Sequence, residues 1–226
     1  EGAGGFQDDP VQWVERGGWN CIMDYSIKLW WEGKDVIRDA LCSGDPRPVE
    51  AALRSYRDRV VAAGGICYID PPSLTDFPLE AQKMGAALTA SMGELVLLLE
   101  KLSEPSVPHH QDDHAHLAEL EYRGELDRLL QLRRLYPALC AGGERRQVAT
   151  SDDSRFYAFL RSSVDKRLLA VFNFQTTSQE VIIDLRDLPS MKLLEELITG
   201  KKMIPAGNNI SINLPAYGYR FFMIRN

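Results

Sequence analysis

Two rhythms divide the chain. Up to about residue 140, short apolar runs alternate with stretches whose apolar side chains recur every three or four residues; later come short apolar runs broken by turn formers, with nothing helical of any length between them. NCIMDYS reads as a strand. Residues 35–42 and 47–63 read as helices, and in the second Val49, Ala52, Leu53, Tyr56 and Val60 share a face until Gly64-Gly65 stops it. GGICYID is a second strand, closed at Asp70 by Pro71-Pro72, which cannot continue a ladder. Residues 78–92 form the next helix, and LVLLLE, residues 95–100, a third buried strand. Residues 117–139 then predict a long amphipathic helix with Leu126, Leu129, Leu130, Leu132 and Leu135 on its inner side and Pro137 marking its end.

RFYAFLRS, RLLAVFNF, EVIIDL, ISINL and YRFFMIR follow, rich in β-branched and aromatic residues and separated by the turn formers SVDK, QTTS and AGNN. They predict a small antiparallel β domain, a sandwich packed on the last helix. The division expected is residues 1–141, α/β, and residues 142–226, all β. In an α/β unit, ligands sit where parallel strands end, because the loops converge there. Asp24, Asp70 and Glu100 each lie at or near such an end, although a carboxylate after a strand also serves as a helix cap or loop residue.

Composition narrows the classes of function. The 226 residues are 45% hydrophobic and 26% charged, with a net charge of −6 and scattered Lys and Arg, which does not suit a nucleic-acid binder and fits a neutral or sugar-like ligand. No run reaches the ~18 to 20 apolar residues of a membrane-spanning helix. Cys21, Cys42, Cys67 and Cys140 form no CxxC pair, so neither a zinc knuckle nor a dithiol motif is expected. Their reading as buried hydrophobes favours the cytoplasm, with secretion the alternative. HHQDDHAH holds all four histidines, His109, His110, His114 and His116, beside Asp112 and Asp113. Imidazole and carboxylate suit a transition metal, but no flanking pattern fixes a coordination geometry, so no metal is assigned and a solvated loop is the plainer reading.

The order of the pieces resembles the α-amylase family of glycoside hydrolases, glycoside hydrolase family 13. LLQLRRLYPAL, residues 129–139, is similar to that family's helix before its C-terminal domain. LLAVFNF, residues 168–174, and PAYG, residues 215–218, are similar to strands and the closing turn of that domain. WVERGGWNCIMDY resembles the sixth-strand segment of the cyclomaltodextrinase, neopullulanase and maltogenic amylase branch. The resemblance implies the C-terminal half of a (β/α)8 barrel, from strand 5 or 6 to strand 8, followed by the β domain.

It also implies a retaining hydrolase or transglycosylase acting on the α-1,4 bonds of maltooligosaccharides, cyclodextrins or starch-like glucans, without a cofactor. In that frame Glu1 is the catalytic acid, Asp70 the carboxylate that holds the sugar, and Glu100 the terminal Glu of the eighth strand. Tyr25, Trp30, Trp31 and Tyr68 become candidates for sugar contact. The family's nucleophile motif, G-f-R-x-D, is not in the chain, and an eight-stranded barrel takes roughly 250 residues. A preceding barrel half, in the same or a separate chain, is therefore an implied partner beside the glucan, and a homo-oligomer is compatible with both. Tyr68 and Ile69 stand where the family has Asn and His, and Leu98-Leu99 where it has Gly-Asp. Those departures point to the alternative, a catalytically silent scaffold or glucan-binding subunit.

Overall fold

The computed structural model describes residues 11–16, 21–23, 26–29, 33–69, 72, 74–92, 95–96, 113–140, 143–164, 166–186, 188 and 191–225. Its first half runs α1 (Val11–Glu15), β1 (Cys21–Met23), β2 (Lys28–Leu29), β3 (Lys34–Asp35), α2 (Val36–Ser43), α3 (Arg47–Ser55), α4 (Arg57–Ala62), β4 (Ile66–Ile69), α5 (Leu79–Ser91), β5 (Leu95–Val96) and α6 (Asp113–Leu135). After a 3-10 turn at Pro137–Leu139 come β6 (Glu144–Val148), β7 (Phe156–Ser162), β8 (Arg167–Asn173), β9 (Gln179–Asp184), β10 (Leu193–Glu196), β11 (Lys202–Met203), β12 (Asn209–Leu214) and β13 (Tyr219–Arg225).

Local chemistry sets several boundaries. Asp35, extended at φ −144° and ψ 93°, accepts the backbone N–H of Arg38 and so caps α2. Gly44 ends that helix at φ 73°, a left-handed conformation that costs a glycine little. The helix expected over residues 47–63 is two helices: at Tyr56 the backbone leaves the helical region, φ −128° and ψ −70°. That break places Tyr56 with Val11, Val14, Val60 and Cys67 in a small core joining α1, α4 and β4.

Strands β1, β4 and β5 form a parallel sheet in that order. Met23 lies opposite Tyr68, Tyr68 opposite Leu95 and Ile69 opposite Val96. Among the described residues this parallel sheet has three strands, so they do not form a closed eight-stranded barrel.

The β domain is built on an antiparallel sheet in the order β11-β10-β13-β8-β7-β6, and β9 pairs with β12 in a separate two-stranded sheet. The larger sheet is the middle layer of three. Tyr157, Phe159, Leu168, Ala170, Phe172, Phe221 and Met223 face the helices and share a core with Leu41, Leu53, Met84, Leu88, Leu126 and Leu129. The alternate residues, Phe156, Ala158, Leu160, Leu169, Val171, Phe222 and Ile224, face the small sheet's Val181, Ile183, Ile210 and Ile212. Burial on both faces is why β7, β8 and β13 read as nearly continuous apolar runs. Helix α6 departs from its expected stripe: Leu126, Leu129 and Leu132 point inward, whereas Leu130 is only half-buried and Leu135 is 64% exposed.

Candidate functional site

The parallel sheet fixes the edge at which a site would stand. Met23, Ile69 and Val96 end the described parts of three neighbouring strands, Ile69 level with Val96 and Met23 one residue back, level with Tyr68, and Asp24 and Asp70 directly follow the first two in sequence. Along β4 the faces alternate. Cys67 and Ile69 are buried against helices, Cys67 in the α1 and α4 core and Ile69 in the main core with Met84 and Leu74. Ile66 and Tyr68, on the other face, are half-buried.

Of the residues expected to bind or transform substrate, the structure therefore describes Tyr68, on the open face of the central strand. Glu1, Asp24, Tyr25, Trp30, Trp31, Asp70 and Glu100 lie outside the described residues, as do His109, His110 and Asp112. His116, on α6, is exposed, and the described residues hold no cluster of His, Cys, Asp or Glu able to grip a metal. No described helix is long and apolar enough to cross a membrane.

The structure also gives the resembling motifs a physical purpose. In LRRLYPAL, Arg133 donates to the carbonyls of Ala90, at the end of α5, and Leu139, in the 3-10 turn. From the β domain, the buried Arg161 donates to the carbonyls of Ala138 and Cys140, at 2.9 and 2.8 Å. Two guanidinium groups thus hold one turn between the helices and the sheet. In VFNF and PAYG, the fully buried Asn173 donates from Nδ2 to the carbonyls of Thr177 and Pro215, at 2.9 and 2.7 Å, and accepts the Gln175 N–H at 3.0 Å. The clamped turn holds Tyr217 at φ 50°, and a side chain at Gly218 would strike the ring of Pro215. Gln175 Nε2 in turn donates to the Gly44 carbonyl at the end of α2, at 2.9 Å.

Two buried polar clusters were invisible in the sequence. Arg145 of β6 donates to Glu50, Tyr157 and Asp58 at 2.5, 2.9 and 2.5 Å, and the Tyr157 hydroxyl donates to Glu50 at 2.6 Å. Burial pulls the Arg145 pKa down, but Tyr157, Glu50 and Asp58 outweigh it and the net shift is upward. Burial also carries the Tyr157 phenol well above its ordinary value. In the second cluster Glu125 of α6 accepts from Tyr219 of β13 and from Arg128. Its pKa is raised, because burial outweighs the nearby Arg128 and Lys83. Both clusters join helices to the β domain and contain no nucleophile beside a base, so their chemistry is structural.

Comparison with known proteins places the β domain. Residues 146–221 match the family model described as the maltogenic amylase C-terminal domain. This segment is a C-terminal domain of the α-amylase family. Within that family domain, Asn173, Pro215 and Gly218 form the clamp described above. A comparison with curated protein sequences finds no significant match. Similar solved structures include an α-amylase from Geobacillus thermoleovorans complexed with acarbose, 14% identical, with a TM-score of 0.69 over 98% of this chain and 52% of its own. The maltogenic α-amylase AmyB from Thermotoga neapolitana is 12% identical, with a TM-score of 0.67 over 93% of this chain and 52% of its own. An AmyP variant in complex with maltotriose gives a TM-score of 0.67 at 12% identity, over 92% of this chain and 50% of its own. At such identity the likeness is one of fold. The chain spans about half the length of these structures.

Proposed function

We propose that the chain is the C-terminal half of an α-glucan-acting retaining hydrolase or transglycosylase, with β1, β4 and β5 as the last three strands of its (β/α)8 barrel. The observation that carries this reading is an order of parts. Parallel strands ending within a residue of one another are followed by α6 and an α-amylase-family C-terminal domain, and amylase folds match that whole arrangement. Structures of similar fold hold maltotriose, in AmyP, and acarbose, in the Geobacillus thermoleovorans α-amylase, which supports an α-glucan as the ligand class.

Retaining glycosidases need one carboxyl group to protonate the leaving oxygen and another, about 5 to 5.5 Å away, to attack the anomeric carbon. Glu1 is the proposed acid, and the preceding half supplies the nucleophile. Asp70, which follows β4 in sequence, is the proposed holder of the sugar hydroxyls, and Glu100, which follows β5 in sequence, a proposed substrate contact. Tyr68, on the open face of β4, offers a ring and a hydroxyl from the strand itself, with Tyr25, Trp30 and Trp31 as further contacts. Assembled with its preceding half, the protein should cleave maltooligosaccharides, and Asp70→Asn should reduce kcat/KM by about a hundredfold or more. An assembled protein without cleavage would remove the enzymatic reading.

A silent glucan-binding subunit is the second reading. It is favoured by Ile69, whose side chain is committed to the helical core and supplies no hydrogen bond where the family has His. Maltoheptaose titration by calorimetry separates the two: binding without turnover supports the silent subunit, and hydrolysis refutes it.

A further inference from the structure

We propose that the outer edge of β12 is the seam of a homodimer, in which two copies of the chain pair their β12 strands antiparallel across a two-fold axis. The proposal stands on the β domain alone and is independent of the half-barrel reading. In the small sheet β12 pairs with β9 on one side only. The Leu185 N–H donates to the Asn208 carbonyl at 2.7 Å, and Ile210 and Ile212 lie opposite Ile183 and Val181. Bonded residues alternate along an antiparallel pair, so Ile210, Ile212 and Leu214 direct their N–H and C=O groups at β9, while those of Ser211 and Asn213 point to the opposite side. Among the described residues no strand or backbone group meets Ser211 or Asn213 there, whereas Asn209 is engaged by Ala206.

Among the described residues, the other edges of the β domain are guarded. β11, at one end of the large sheet, carries the exposed Lys202 beside Lys201, and β6, at the other end, the exposed Glu144 and Arg146. The second side of β9 is covered: the Asp184 N–H donates to the Ala149 carbonyl at 3.0 Å, and the Ser151 N–H to the Ile182 carbonyl at 2.8 Å. Charge and cover are the means by which soluble proteins keep sheet edges from pairing. β12, NISINL, has neither: its six residues include no ionisable group, proline or glycine, and Ser211 and Asn213 are exposed. An open edge in a domain whose other edges are closed suits the addition of a strand.

The symmetry of the edge names the occupant. With the two-fold axis beside Ile212, Ser211 stands opposite the partner's Asn213, and Asn213 opposite the partner's Ser211. Each pair exchanges two N–H···O bonds, so the seam is self-complementary. Pro215, which has no N–H to offer, closes the strip just past Leu214. On the exposed face Glu180 of β9, one strand back from the edge, accepts the Ser211 hydroxyl. At a net charge of −6 two copies repel one another, and a strand with no ionisable group is where they approach at least cost. The pairing uses the free edge of both copies, so it closes at two and does not propagate.

The test is sedimentation velocity, from about 1 to 100 μM, on the full-length polypeptide that contains these 226 residues. Wild type should dimerise within that range. Ser211→Lys/Asn213→Lys sets like charges opposite each other in both pairs and leaves the inward Ile210, Ile212 and Leu214 untouched. It should fold as wild type does and raise the dimer dissociation constant at least about tenfold. In Ser211→Cys/Asn213→Cys the facing Cα atoms, ~5.5 Å apart, lie within reach of a disulfide, so mild oxidation should give a covalent dimer whose peptides join position 211 of one copy to position 213 of the other. A wild type that stays monomeric, a dimer that Ser211→Lys/Asn213→Lys leaves unchanged, or an oxidised dimer without the 211–213 link would overturn the seam. A monomer whose Ser211 and Asn213 amides resist hydrogen exchange would put another segment of the same polypeptide on the edge and overturn the second copy as its occupant. Growth past two copies would overturn the two-fold closure.

Discussion

Replacing Asn173 by alanine removes the clamp at the centre of the β domain. Three hydrogen bonds vanish together: Nδ2 to the carbonyls of Thr177 and Pro215, and the Gln175 N–H to Oδ1. Each intramolecular bond is worth a net ~1 kcal/mol, and each backbone group left without a partner in the interior adds to that loss, so Asn173→Ala should cost about 3 to 5 kcal/mol. With a urea m-value of about 3 kcal/mol per M, the midpoint falls by roughly 1 to 1.7 M. Asn173→Asp sharpens the test, because the carboxylate keeps the Gln175 contact but faces two carbonyl oxygens without a proton to offer. Its pKa in the folded variant should rise above the ~3.9 of a free Asp. The folded state then binds more protons than the unfolded state between those two values, so stability rises as pH falls through that window. Urea denaturation followed by circular dichroism should find Asn173→Asp the least stable of the three proteins at about pH 7, recovering ~1 kcal/mol or more by about pH 5. A cost below ~1 kcal/mol for Asn173→Ala, or Asn173→Asp more stable than Asn173→Ala at neutral pH, would refute the clamp.

Arg145→Met strands Glu50 and Asp58 against the buried Tyr157 and should lose about 3 to 5 kcal/mol in the same denaturation, whereas Arg54→Met, at an exposed partner of Glu50, should lose under ~1 kcal/mol. The raised pKa of Glu125 makes wild-type stability rise as pH falls from that pKa toward the ~4.3 of a free Glu; Glu125→Gln should flatten this slope, as read from denaturation midpoints across that range. Leu126→Ala should cost about 2 to 5 kcal/mol, while Leu135→Glu, on the exposed face, should stay within ~0.5 kcal/mol of wild type in thermal unfolding.

The elements with the strongest local pattern were legible in the sequence. Parallel strands at Cys21–Met23 and Ile66–Ile69, the helix at Leu79–Ser91 and the hydrophobic strands of the β domain all stand where periodicity put them. The helix expected over residues 47–63 keeps its buried stripe but breaks at Tyr56, whose place in a tertiary core outweighs its local helical pattern. β6 carries ERRQV, with four polar residues in five, and nothing in its composition reads as a strand. It is held by its register with β7 and by the ion pairs of Arg145, both of which depend on residues remote in sequence. β10, LLEE, was missed for a related reason: the buried Glu196 is matched by Arg220 of the neighbouring strand. On α6 the inner stripe misplaced Leu135 and passed over Glu125, because a residue's partners, not its polarity, decide whether it can be buried.

The candidate site was legible as a strand edge rather than as a set of side chains. The spacing of the apolar runs put the ends of successive strands together, and the register of Met23, Tyr68 and Leu95 brings those strands side by side. The roles given to Glu1, Asp70 and Glu100 came from the resemblance. Ile69, read in sequence as a substitution inside a sugar-binding motif, is a core residue of the fold, so its side chain serves packing.

The most direct test of the central claim is the stereochemistry and Glu1-dependence of maltooligosaccharide cleavage, followed by proton NMR of the released anomer in the assembled protein. The account predicts α-configured product at the earliest times, and a fall in kcat of about 10² to 10⁴ in Glu1→Gln. First-formed product of inverted configuration, or cleavage that Glu1→Gln leaves unchanged, would contradict it.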